Sequence, residues 1–101
     1  MTDTSTIEKT TEMVKVTEPK LFKVLLHNDD KTTFDFVIKV LTSIFHRTLE
    51  DAVELTTAIH HNGQCIAGSP YTREIAESKA HETIAFARAN NFPFLATFEE
   101  L

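Results

Sequence analysis

The sequence has few of the residues that build several common kinds of functional site. Among its 101 residues only two are glycine and only one, Cys65, is cysteine. The scarcity of glycine excludes a Gly-x-Ser-x-Gly turn for a nucleophile and a glycine-rich loop for a phosphate. A single cysteine excludes an internal disulfide and favours a reducing compartment. Because Cys65 stands beside Ile66 in an apolar run, we expect a small buried residue rather than a reactive thiol.

Basic charge and long apolar runs are also lacking. The formal net charge is -5, whereas a nucleic-acid-binding protein needs a clustered basic face. We therefore expect no nucleic-acid partner and a cationic partner instead. No stretch approaches the length of a membrane span, and residues 1–11 lack the apolar segment of a signal peptide. These features predict a cytoplasmic protein that does not enter a membrane.

The length predicts one domain, in which a tail precedes a folded core. Residues 1–19 are rich in Thr, Glu, Lys and Ser and carry few large apolar side chains. This composition predicts a flexible, disordered extension. All elements that we predict below fall within residues 20–101, which we assign to the core domain.

The core begins with an apolar strand that runs into a polar corner. Residues 21–27 read Leu-Phe-Lys-Val-Leu-Leu-His, and residues 28–30 read Asn-Asp-Asp, whose turn chemistry ends the strand. Thr32 and Asp35 have the spacing of a capping box. We therefore place the start of a helix at Thr33, with its amide dipoles directed at the corner.

Two further strands and three helices are predicted from apolar periodicity, capping residues and turn residues. The predicted ranges are a helix over 33–46, a helix between the caps Thr48 and Gly63, a strand over 64–67, a helix over 73–90 that Thr72 begins, and a strand over 94–98. The order β-α-α-β-α-β predicts an α+β fold. Its expected architecture is a two-layer sandwich of three helices packed on a small three-stranded sheet.

Metal-ligand residue types occur in two places, but their spacing matches no known metal site. They are His27, Asp29, Asp30, His60 and His61. The chain has no His-Glu-x-x-His motif and no paired Cys-x-x-Cys, and adjacent histidines on a helix point about 100 degrees apart. We expect no metal and no cofactor.

Two alternatives to a binding module stay open at the level of individual residues. Asp29, Asp30 and His60 are the residue types of a small hydrolase acting on amino-terminal peptides, since paired carboxylates can do general acid and base work. Adjacent turn carboxylates usually diverge, however, and are commonly solvated. A ribosome-associated or structural module is a third hypothesis, because this order of elements does not by itself specify a function.

Several motifs follow one another at characteristic distances. The Asn-Asp-Asp corner closes the stretch 23–30, Thr32 precedes Phe-Val at 36–37, a helix ends in Ala-Ile-His-His-Asn-Gly at 58–63, and a capped helix start spans 72–79. Together they resemble the ClpS family of adaptor proteins over about residues 20–101. The resemblance implies a non-enzymatic adaptor for N-degrons, meaning substrates whose free α-amino group precedes a bulky first residue such as Phe, Tyr, Trp or Leu. It also implies delivery of those substrates to an AAA+ Clp unfoldase and its protease.

The resemblance assigns the polar residues to the substrate's amino terminus. Asn28, Asp29 and His60 would contact the α-amino group, and Asp30 and Thr32 would shape the rim. Elementary chemistry agrees, because an α-amino group with a pKa near 8 is mostly an ammonium with three donors at neutral pH. An amide oxygen, a carboxylate and a neutral imidazole nitrogen supply three acceptors.

The first side chain of the substrate, by the same resemblance, enters an apolar pocket. The pocket positions are Leu26, Phe34, Val37, Thr56, Ile59 and Phe94. Phe34 and Thr56 stand where methionines are frequent in the family; phenylalanine is more rigid, and threonine brings a hydroxyl. We therefore expect a reordered preference among Phe, Tyr, Trp and Leu.

The resemblance also predicts how the unfoldase is contacted. Glu74 and Lys79, on the longest helix, match positions that family members use against the unfoldase's amino-terminal domain. A solvated helix face explains these charges equally well. We expect the protein itself to be a monomer.

Overall fold

The apolar strand predicted at the start of the core becomes the centre of the sheet. A computed structural model describes residues 19–101, and the predicted tail therefore lies outside the described residues except for Pro19. Three helices pack on a three-stranded antiparallel sheet in the order β-α-α-β-α-β. This confirms the predicted two-layer α+β fold.

The elements of the structure are β1 (Phe22–His27), α1 (Phe34–Ser43), α2 (Leu49–Asn62), β2 (Gln64–Tyr71), α3 (Arg73–Ala89) and β3 (Leu95–Glu100). Strand β1 lies between β2 and β3 and pairs antiparallel with both. Its alternate residues Val24 and Leu26 are fully buried in the core that the helices cover. No helix between residues 19 and 101 has the length and apolar composition needed to cross a membrane.

Both outer strands are longer than predicted. β2 continues through Gly68, Ser69 and Pro70, the residues expected to end it, and Tyr71 still pairs with Phe22. Shifts of register on either side of Val24 accommodate the irregular segment. β3 includes Glu99 and Glu100, which we had expected to lie beyond the strand. Strand pairing to β1 overrides their low strand propensity.

Helix α1 is shorter at both ends than predicted. Its N-cap is Thr33, whose hydroxyl accepts a hydrogen bond from the Phe36 amide at 3.2 Å, so the predicted capping box at Thr32 is wrong. The helix ends at Ser43, and His46 adopts a positive φ of 55°. Ile44 and Phe45 leave the helix but remain buried, because the turn folds them back onto the core.

The caps predicted for the other two helices are confirmed. The Thr48 hydroxyl accepts from the Asp51 amide at 3.1 Å, and the Thr72 hydroxyl accepts from the Ile75 amide at 3.3 Å. Gly63 ends α2 with a φ of 87°, a left-handed conformation that disfavours residues with a Cβ atom. Thr48 and Gly63 therefore mark the two ends of α2.

Small residues allow α3 to approach the sheet closely. Ala76, Ala80 and Ala87 are buried on one face of the helix, as the alanine pattern predicted. Cys65 is buried in β2, as expected. Burial raises the pKa of its thiol to about 11, although the charge of Arg47 opposes that change. The thiol is therefore a core group and not a nucleophile.

Gly63 generates a first testable prediction. Its φ of 87° is strained for residues with a Cβ, although an added Cβ would meet no atom within 4 Å. Substitution Gly63→Ala should therefore lower the free energy of unfolding by about 1 kcal/mol through backbone strain alone. Gly63→Asn is the matched control, because Asn tolerates this conformation better. Urea denaturation measures both, and an alanine variant as stable as wild type would contradict the assignment.

Candidate functional site

The Asn-Asp-Asp corner is held in shape by the side chain of Asp29. One carboxylate oxygen, Oδ1, accepts hydrogen bonds from the amides of Lys31 and Thr32, both at 2.8 Å. The other, Oδ2, accepts from the Thr32 hydroxyl at 2.6 Å. A short acidic side chain that bonds the backbone two and three residues ahead is the usual way to fix such a turn. Thr32 therefore serves the corner and not the helix cap.

A backbone hydrogen bond brings this corner to the end of α2. The Asn28 amide donates to the Gly63 carbonyl at 2.9 Å, one residue beyond the last paired residue of β1. His60 lies on the last turn of α2. The bond thus places the side chains of Asn28 and Asp29 beside that of His60, although the sequence separates the two segments by about thirty residues.

A pocket of about 370 Å³ opens between the corner and the two helices. Its lining combines the corner residues with side chains from the start of α1 and the end of α2. These residues are Asn28, Asp29, Asp30, Thr32, Phe34, Val37, Thr56, Ile59 and His60. The volume lies at the small end of ordinary ligand pockets, which suits one large side chain and its main-chain group.

Two residues that the resemblance assigned to the pocket are not among those that line it. Leu26 and Phe94 are fully buried within the core. The Phe94 ring packs edge-on against Phe36, with ring centroids 6.5 Å apart. Both side chains are therefore core residues in this structure.

The apolar part of the pocket differs in exposure from its base to its rim. Val37, Thr56 and Ile59 are buried, whereas Phe34 is 47% exposed at the rim. The Thr56 hydroxyl donates to the Ala52 carbonyl of its own helix at 2.7 Å. Because that donor already has a partner, the threonine adds little polarity to the pocket.

The charge of Asp29 is stabilised although the residue is partly buried. Desolvation by burial raises the pKa of its carboxyl, but the hydrogen bonds from Thr32 and Lys31 and the positive charge of Arg88 together outweigh that effect. The net result is a pKa below the ordinary value. The site therefore holds a carboxylate at neutral pH.

The residues Arg88 and Gly63 support the site in ways that sequence reasoning missed. The Arg88 guanidinium donates through Nη1 to the carbonyls of Phe92 and Phe94, each at 2.9 Å, and its charge favours the ionised Asp29. Gly63 was predicted as a cap, but its carbonyl also receives the Asn28 amide. No local pattern identifies either role, because each depends on segments that meet only in the folded chain.

The side chains of Glu74 and Lys79, predicted to contact an unfoldase, have unequal surroundings. Glu74 is exposed in the first turn of α3. Lys79 is half-buried, and its Nζ donates to the Ile44 carbonyl at 2.8 Å. The same ammonium lies over the rings of Phe45 and Tyr71, at 5.6 and 5.7 Å from their centroids. The half-buried Lys79 is therefore held by contacts within its own fold.

The site offers hydrogen-bond acceptors for a cation rather than a metal cage. Within the described residues no three His, Cys, Asp or Glu side chains lie close enough together to hold a metal ion. No hydrogen bond within residues 19–101 uses the Asn28 or His60 side chain. These groups are available to a ligand with several N–H donors.

Comparisons with known proteins agree on one family. The family described as "ATP-dependent Clp protease adaptor protein ClpS" matches residues 17–97. The ATP-dependent Clp protease adapter protein ClpS of Campylobacter jejuni subsp. jejuni is 51% identical over 92 residues, which is 91% of this chain and 95% of the relative. The protein of the same name from Myxococcus xanthus is 41% identical over 97 residues, which is 96% of this chain and 90% of the relative.

A solved structure shares the fold as well as the sequence. Agrobacterium tumefaciens ClpS2 bound to L-phenylalaninamide matches with a TM-score of 0.79 and 33% identity, over 83% of this chain and 100% of that one. The match of the family description covers far more than half of the chain, and the relatives are similar over nearly their whole lengths. The chain therefore belongs to the ClpS family of ATP-dependent Clp protease adaptors, and its role is that of an adaptor and not of an enzyme.

Proposed function

We propose that this adaptor binds the free amino terminus and the bulky hydrophobic first side chain of N-degron substrates. It delivers them, as a cytoplasmic monomer, to an AAA+ Clp unfoldase by contacting the unfoldase's amino-terminal domain through Glu74 and Lys79. The observation that carries the proposal is one pocket in which Asn28, Asp29 and His60 adjoin an apolar wall. The hydrolase alternative does not agree with membership in a family of adaptors.

The polar end of the pocket suits an α-ammonium group. Asp29 already accepts three hydrogen bonds, and a carboxylate has about four acceptor positions, so one position on Oδ2 remains. The Asn28 amide oxygen and a His60 ring nitrogen supply the other two acceptors that an ammonium needs. Asp30, exposed at the rim, adds negative charge without a direct bond. Hydrogen bonds to a charged group contribute about 1.5 to 3 kcal/mol each.

The apolar end suits a large first side chain. Val37 and Ile59 provide a buried aliphatic surface, and the exposed Phe34 ring, which lines the same pocket, would cover the first side chain at the rim. The ligand in the related ClpS2 structure, L-phenylalaninamide, has the two groups that this pocket accommodates, a free α-amino group and a benzyl side chain. That likeness supports the same ligand class here.

Acetylation of the ligand tests the amino-terminal part of the proposal. A peptide that begins with free Phe should bind, whereas its acetylated form should bind at least 100-fold more weakly. Acetylation removes the positive charge and two of three donors, and the loss of two charge-assisted bonds corresponds to about 3 kcal/mol or more. Fluorescence anisotropy with labelled peptides measures both affinities. Equal binding of the two peptides would refute the proposed function.

A pair of substitutions at Thr56 tests the apolar part. Thr56→Val should leave the affinity for Phe-initiated and Tyr-initiated peptides within twofold of wild type, because the hydroxyl already bonds to Ala52. Thr56→Met places in the wall the residue that is frequent in the family, and its longer side chain occupies part of the pocket. The preference should therefore shift at least fivefold from a Trp-initiated toward a smaller Leu-initiated peptide, which corresponds to an overpacking cost of about 1 kcal/mol. Isothermal titration calorimetry measures both variants. A valine variant that loses Tyr binding selectively would show that the hydroxyl does reach the ligand.

The lowered pKa of Asp29 predicts a pH-dependent effect of Thr32. Thr32→Val removes the hydroxyl bond to Asp29 and should raise the pKa of that carboxyl toward its ordinary value. A carboxyl whose pKa is lower in the folded than in the unfolded state stabilises the fold above the unfolded-state value, and this stabilisation is lost as the pH falls through the folded-state value. The variant should therefore be less stable by about 1 kcal/mol at pH 7.

The difference between wild type and the Thr32→Val variant should shrink as the pH falls below about 4, where the carboxylate of wild type also protonates. Urea denaturation at a series of pH values measures it. Thr57→Val is the control, because the Thr57 hydroxyl donates to the Val53 carbonyl, which does not titrate. A loss of stability at Thr32 that is equal at pH 7 and pH 3 would contradict the role given to Asp29.

A further inference from the structure

The link between α1 and α2 lies at the end of these helices opposite the pocket. The pocket uses Phe34 and Val37 near the start of α1, and Thr56, Ile59 and His60 near the end of α2. Residues 44–48 join the helices at their other ends. We call this link the corner 44–48. Because it joins the helices at the ends that lie away from the pocket, a change in its geometry would change the distance between α1 and α2 at the pocket.

Groups from α3 and β2 hold the corner 44–48. The Lys79 ammonium donates to the Ile44 carbonyl at 2.8 Å, and it also lies over the Phe45 ring. The Arg47 amide donates to the Leu41 carbonyl at 3.0 Å, and its Nε donates to the Ala67 carbonyl of β2 at 2.9 Å. A cation at the carboxyl end of a helix is favoured by the helix dipole, so Lys79 is suited to hold the end of α1.

A small change in the tilt of α1 at the corner 44–48 would displace the residues of α1 that line the pocket. Val37 lies seven positions before Ile44, a distance of about 10 Å along the helix at 1.5 Å per residue. A tilt of α1 by about 5 degrees about the corner would move Val37 by about 1 Å on that geometry. A shift of that size changes the fit of a side chain in a closely packed pocket.

We propose that Lys79 is a positioning residue for the pocket that binds the substrate's amino terminus, and that it acts through the corner 44–48. The inference rests on the proposed function and deepens it. The Lys79 ammonium holds the Ile44 carbonyl and lies over the neighbouring Phe45 ring. Loss of that donor would let the end of α1 move relative to α3, and substrate affinity would fall.

Substitution Lys79→Met tests the positioning role. Methionine keeps the apolar stem but removes the donor to Ile44, and we expect the affinity for a peptide with free amino-terminal Phe to fall at least fivefold. Lys79→Arg, which retains a cationic donor, should restore binding to within twofold of wild type. Lys39→Met is the matched control. Lys39 is on α1, and its Nζ lies over the Phe86 ring at 5.8 Å from the ring centroid, but it donates to no carbonyl of residues 44–48. Fluorescence anisotropy, with circular dichroism to verify folding, measures all four proteins.

The outcomes separate this inference from the proposed function. Wild type that fails to bind any free-amino peptide overturns the proposed function, whereas normal binding by both wild type and Lys79→Met overturns the inference alone. If Lys79→Met does not fold, amide chemical shifts of wild type decide. The peptide should then shift the resonances of residues 44–48, and unchanged resonances overturn the inference.

Discussion

The hydrogen bond from the Asn28 amide to the Gly63 carbonyl is the contact on which the rest of the site depends. It joins the end of the central strand to the end of α2 and so brings acceptors from two distant segments to one point. The bond requires that the Asn28 amide be directed at Gly63 where β1 ends, and that α2 end at a residue that tolerates a positive φ. Burial of β1 fixes the position of the strand end, and Gly63 supplies the residue with a positive φ.

Within the Asn-Asp-Asp corner, Asp29 has a mainly structural role. Asp29 uses most of its acceptor capacity to fix the turn, and Thr32 is its principal partner. The carboxylate is consequently held in one orientation before any ligand arrives, which limits the entropy that binding must overcome. Within residues 19–101 the side chains of Asn28 and His60 make no hydrogen bond, and under the proposed function they would provide the remaining acceptors. A carboxylate that is already oriented, together with two side chains whose acceptors are unused within residues 19–101, is suited to bind a small cation.

The helix caps, the alanine face of α3 and the glycine stop at Gly63 could be predicted from the sequence, because each depends on neighbours within a few positions. The start of α1 could not, since Thr32 and Thr33 are equally good caps until Asp29 engages the first of them. The extension of β3 to Glu100 also escaped prediction, because it depends on pairing with Phe22. Likewise, the resemblance could name Leu26 and Phe94 but could not show that both are fully buried and absent from the pocket lining.

The pocket exists only while α2 is docked against the end of β1, because its lining comes from both sides of that junction. A ligand that fills it therefore binds the folded chain and not the unfolded one. By mass action, a free ligand concentration of 100 times the dissociation constant adds about 2.7 kcal/mol to the free energy of unfolding. Under the proposed function, the adaptor works beside an unfoldase. An adaptor with bound substrate would then resist unfolding better than an empty one.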